Sequence, residues 1–111
     1  MTARDASDHE AERLRALVPF GRALVGSPGV EALKARLNAQ REDSEARYLL
    51  GAHQALEGDY ENALEQFFAL LERDRAYGDD AGRKAMLAVF ALLGNNELTS
   101  RYRGRMFNLL H

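Results

Sequence analysis

Apolar residues recur at helical spacing from one end of this chain to the other, and no stretch alternates as a strand would. The helical segments pair into units that begin near residues 9, 44 and 80, a recurrence of about 35 residues. That period narrows the fold sharply. A single helix-turn-helix unit cannot bury its own apolar face, so successive units must stack, and about three are needed for a continuous core. The 111 residues supply three such units and leave room for little else.

Local signals set the six helices. The first is expected over about Asp8 to Val25, with Leu14, Leu17, Val18, Leu24 and Val25 as its apolar stripe. Pro19 lies inside it, where the missing amide proton and the ring predict a kink or a split. Ser27-Pro28 reads as an N-cap followed by a first-turn proline, opening a second helix to Ala39 through Val30, Leu33 and Leu37. Asp43 is placed to cap a third helix, Ser44 to Glu57, with Tyr48, Leu49, Leu50, Ala52, Ala55 and Leu56 on its apolar side. Gly58-Asp59 makes a tight turn into a fourth, which carries Tyr60, Ala63, Leu64, Phe67, Phe68 and Leu71. Asp79 or Asp80 should cap the fifth, which ends at Gly94-Asn95-Asn96. The sixth, from about Glu97, carries Leu98, Tyr102, Met106, Leu109 and Leu110. The expected organisation is a disordered segment at residues 1–8 followed by one domain, 9–111, of hairpins at about 9–40, 44–73 and 80–110.

The middle hairpin is the most informative. Counted from Ser44, Leu50-Gly51 fall at positions seven and eight, Gly58 at fifteen, Tyr60 at seventeen, Ala63 at twenty and Phe67 at twenty-four. Gly51 and Ala63 are small where two helices must approach closely, Gly58 permits the turn, and Tyr60 and Phe67 wedge between helices. This pattern resembles the tetratricopeptide repeat (TPR), with Arg47, Gln54 and Arg75 as departures from it. The resemblance implies an all-α, TPR-like right-handed superhelix of three helical hairpins.

A narrower resemblance covers residues 27–111. The hairpin EARYLLGAHQALEGDYENALEQFFALLERDR is followed by DDAGRKAMLAVFALLGNNE and SRYRGRMFNLLH. Together these are similar to the C-terminal region of the thioredoxin-like co-chaperones (chaperedoxins, YbbN or CnoX type). The chain is expected to be that region without the thioredoxin domain, as a fragment or as a relative lacking it, since it has no cysteine and no C-x-x-C. What the resemblance implies is therefore protein binding: unfolded clients, or a GroEL-type chaperonin reached through the last helix. On this sequence the candidate contacts are Arg101, Tyr102, Arg105, Met106, Leu109 and Leu110.

Composition bears on what else is expected. Zero cysteine excludes disulfides and thiolate chemistry, and three scattered histidines offer no metal cluster. His53 with Glu57, at i and i+4, lacks any nucleophile or third group, so no catalytic residue, cofactor or metal is expected and the chain is read as not an enzyme. Residues 1–12 have no signal-peptide core and no run spans a membrane, so a cytoplasmic protein is expected. Net charge is −2 but uneven: residues 1–43 balance, 44–80 carry −6 and 81–111 carry +4. Five cations (Arg83, Lys84, Arg101, Arg103, Arg105) could touch phosphates, yet the adjoining −6 segment opposes a nucleic-acid backbone, which makes that the weaker reading.

On the inner side of the superhelix, Tyr48, Ala52 and Ala55 are the candidate groove residues. Tyr48 and Ala52 occupy the positions where TPR clamps for acidic tails place lysine and asparagine, so this groove suits an apolar peptide or helix instead. An exposed Phe68 would mark a client patch. The alternative to a co-chaperone is a self-standing TPR scaffold or adaptor with an unrelated partner.

Overall fold

The structure is a computed structural model that describes the backbone of residues 2–111 and the side chains from Asp8 onward. Six helices follow one another: α1 (Thr2–Ala23), α2 (Val30–Ala39), α3 (Ser44–Leu56), α4 (Tyr60–Arg73), α5 (Ala81–Leu93) and α6 (Glu97–Leu110). Among the described residues there is no strand, and no helix is long and apolar enough to cross a membrane. The architecture is an all-α helical repeat. The expectation of a disordered residues 1–8 lies outside the described residues for Met1 and outside the described side chains for residues 2–7; helical backbone begins at Thr2.

The α3–α4 hairpin is the most closely packed pair. A Cβ on Gly51 would stand 2.5 Å from the Phe67 ring, so glycine is what lets that ring come this close to α3. Ala63 of α4 is fully buried. Gly58, at φ +83°, turns the chain between the two helices in a backbone region that L side chains rarely adopt. The next helix also comes close through Gly82, where an added Cβ would lie 3.1 Å from the Leu71 amide nitrogen and 3.2 Å from the Phe67 carbonyl oxygen.

Two apolar clusters hold the chain. The larger joins Phe20, Ala52, Ala55, Ala63, Leu64, Phe67 and Phe68 to Ala85, Met86, Val89, Phe90 and Tyr102. The smaller, Leu33, Ala46, Leu49 and Leu50, seats α2 on α3. Asp43 reinforces that second joint. Its carboxylate accepts the Ala46 amide of α3 and both Nε and Nη2 of Arg36 of α2, each at 3.0 Å. The Arg36 guanidinium, then the Ala46 amide, hold the Asp43 carboxyl below the usual carboxylate range.

Four local expectations are corrected. Helix α1 is not split at Pro19 but continues to Ala23, with Ala16, Leu17 and Phe20 around the proline packed on the main cluster. An internal proline costs about 3 kcal/mol against alanine in a free helix, which that packing must offset. Ser27 does not cap α2: the helix starts two residues later at Val30, with Gly29 at the cap position, and Ser27 Oγ donates to the Pro28 carbonyl instead. Asp80 precedes α5 in left-handed backbone (φ +67°) and, rather than capping amides, accepts from Arg83 Nε at 2.6 Å. The fourth concerns the stripe on α1. Phe20, absent from it, is fully buried, whereas Leu14, Val18 and Val25 are exposed.

The first pair of helices is also unlike the other two. Helix α1 does not pack along α2 but lies against α3 and α5. Only its end, Ala23 and Leu24, touches the Leu33 cluster.

Candidate interaction surfaces

Two regions gather the residues singled out in the sequence. The first is the inner face of α3 and α5, across which α1 lies. Phe20 stacks on Phe67 with centroids 5.4 Å apart and planes 7° apart, and its ring lies 6.5 Å from that of Tyr48. Tyr48 in turn meets Phe67 at 5.7 Å and Tyr77 at 6.4 Å, both tilted. Burial, then the neighbouring Tyr77, pushes the Tyr48 hydroxyl above its ordinary pKa. Of the three candidate groove residues only Tyr48 keeps surface: Ala52 and Ala55 are buried in the cluster that Phe20 completes. Beside them remains a cavity of about 190 Å³, bordered by Pro19, Phe20, Tyr48, Lys84, Ala85 and Ala88.

The second region is the joint between α4 and α6. Tyr102 is 1% exposed, and its hydroxyl donates to the Glu65 carboxylate. Arg105 Nη1 donates to the same oxygen at 2.7 Å, while its guanidinium lies 4.3 Å from the Phe68 ring centroid and 4.9 Å from that of Tyr102. One turn earlier, Arg101 pairs with Glu61 at 3.4 Å. The basic edge of α6 therefore answers the acidic edge of α4. The hydroxyl of Tyr102, then Arg105, holds the Glu65 carboxyl below its ordinary range. Burial, then the bond to Glu65, pushes Tyr102 up to about 12. Phe68, whose exposure would have marked a client patch, is buried with Arg105 over its ring.

Met106, Leu109 and Leu110 are half-buried against the main cluster. The residue that α6 turns outward is Phe107, 61% exposed and stacked on the His111 ring at 4.3 Å. With Arg103, whose guanidinium lies 5.4 Å from the Phe90 centroid, these two form an outer stripe at i, i+4 and i+8. Phe107 falls between the heptad-like core positions 102, 106 and 109; its place opposite them on the helical wheel was the available signal.

The remaining cations and His53 are accounted for within the chain. Arg83 pairs with Asp80 and Lys84 with Asp79. His53 does not engage Glu57: its Nε2 lies 3.0 Å from the Pro28 carbonyl oxygen, which can only accept, so that nitrogen carries the proton. This bond ties the α1–α2 linker to α3.

Residues 25–111 match a protein-family model described as tetratricopeptide repeat. No curated protein and no solved structure matches the chain.

Proposed function

The chain belongs to the tetratricopeptide repeat family, whose members are protein–protein interaction modules, and we propose that it is a cytoplasmic co-chaperone-type module that docks a GroEL-type chaperonin or its clients through α6. The observation that carries this reading is the outward Phe107 on a helix whose Tyr102 and Arg105 are tied to Glu65 of α4. An exposed aromatic flanked by Arg103, His111 and half-buried Met106 and Leu110 has the aromatic, arginine and methionine content enriched at interfaces. Anchoring through Glu65 presents that edge in one orientation, so docking would cost little ordering entropy. The chaperonin as partner rests on the similarity of residues 27–111 to the chaperedoxin C-terminal region.

The test is retention of the full chain by immobilised purified chaperonin, comparing wild type with Phe107→Ala and Phe107→Ala/Leu110→Ser. Binding by wild type and its loss in the variants, with helicity by circular dichroism unchanged, is the expected outcome. No retention of wild type, or retention that survives both substitutions, removes the chaperonin reading. A folded chain that ignores chaperonin but captures another defined protein through Phe107 would be the self-standing scaffold instead. Reversing Arg101 and Arg105 to glutamate is a poor control, because it sets like charges against Glu61 and Glu65 and loosens the α4–α6 joint itself.

A further inference from the structure

The family match begins at residue 25, immediately beyond α1, so the helix that fills the inner face lies outside the repeat proper. It has no packing along α2, the helix it adjoins in sequence, and a Gly26-Ser27-Pro28-Gly29 linker separates the two. It lies across α3 and α5, with Ala16, Leu17 and the adjoining Leu24 at the cluster's margin and one fully buried anchor, Phe20. It carries a proline, Pro19, four residues before its C-terminal end, which makes it a poor helix away from that support. Nor does it fill the space, since the cavity of about 190 Å³ remains between Pro19 and the α5 residues Lys84, Ala85 and Ala88.

We infer that the inner face of α3 and α5 is a helix-binding groove, that α1 occupies it as an intramolecular ligand, and that its partner is an amphipathic helix with an aromatic anchor that displaces α1. The chemistry of that partner is written by the occupant. One aromatic ring stacks on Phe67 beside Tyr48, with aliphatic residues one turn to either side matching Leu17 and Leu24. A helix with an unbranched or aromatic side chain in place of Pro19 would also fill the residual cavity and so compete favourably. This groove is separate from the outer stripe of α6, so either can fail without the other. Occupation in cis lowers apparent affinity by the fraction of molecules with α1 detached, and weakening α1 restores it.

The probe is a labelled peptide of residues 8–27, measured by fluorescence anisotropy against the full chain. Phe20→Ala in the protein should bind it roughly tenfold or more tightly than wild type does, and a peptide carrying Phe20→Ala should not bind. A Phe20→Ala protein that stays helical yet gains no affinity overturns the proposal. Should that variant unfold, a chain with a protease site inserted between Gly26 and Ser27 decides. After cleavage, the labelled peptide should exchange into the groove while residues 30–111 stay helical. Loss of helicity on release of α1 would make it an integral part of the core and end the idea.

Discussion

The inner face and the α4–α6 joint close the same molecule by different physics. On the inner face, three rings from α1, α3 and α4 meet with no charged group among them, and Phe20 and Phe67 are completely removed from water. At the joint, a single carboxylate collects a phenol and a guanidinium at the protein surface, and Glu65 and Arg105 remain 48% and 41% exposed. Apolar burial is large and non-directional, whereas a surface ion pair is small, screened and directional. The contrast suggests a division of labour, with the rings supplying stability and the charges fixing the angle at which α6 is presented.

Substitutions can sharpen or break that contrast, and the greatest effect belongs to the rings. Phe67→Ala should lower unfolding stability by about 3–5 kcal/mol in urea titrations, since it removes the ring shared by α1, α3 and α4. Gly51→Ala sets a methyl against that ring and should cost about 1–3 kcal/mol, with the hairpin splayed but still helical. At the joint, Glu65→Gln should cost only about 1 kcal/mol, because the group is half-exposed. That cost should shrink in high salt, while the Phe67 cost should not.

Arg105→Ala should cost a similar amount, about 1 kcal/mol, through loss of its contact with Phe68 and its pair with Glu65, and Arg101→Ala less, no more than about 0.5 kcal/mol. Equal losses at the two arginines would show that the Arg105 contact with Phe68 adds nothing, since both arginines pair with a carboxylate and lie over the Tyr102 ring. The weakest signal is the dependence on pH. Glu65 and Asp43 titrate below their ordinary values in the folded chain, so their contribution is present above the unfolded carboxylate range and fades as pH falls through the depressed values. The melting temperature should therefore drop in acid, by less in Glu65→Gln. Tyr102 has the opposite sense: its support is full below the unfolded tyrosine value and is lost as pH rises through about 12. It should be the last tyrosine whose ultraviolet absorbance reports ionisation.

Much of this architecture was legible in advance, and the reason lies in range. The turn between α3 and α4 at Gly58, the break at Gly94 and the cap at Asp43 depend on residues within a turn of one another. The spacing of Gly51, Ala63 and Phe67 encodes a hairpin whose two arms are neighbours in sequence, and Gly51 meets Phe67 with Ala63 buried beside them in the core. By contrast, α1 bears apolar residues on two overlapping stripes, Leu14-Val18-Val25 and Leu17-Phe20-Leu24. Nothing local distinguishes them. Packing against α3 and α5 chose the second.

The same limit explains the candidate site. Arg101 and Arg105 read as a free basic edge because their partners, Glu61 and Glu65, lie 40 residues away. Tyr102 read as a contact residue because its aromatic ring and its hydroxyl cannot be assigned to core or surface from spacing alone. Helical periods, caps and close-approach glycines belong to the sequence, since each is written by residues that touch across one turn or one hairpin. The identity of the helix in the groove, and of the charges that α6 spends inward rather than outward, belongs to the tertiary structure. Both depend on the register between elements far apart along the chain, where burial and pairing of distant groups outweigh any local preference.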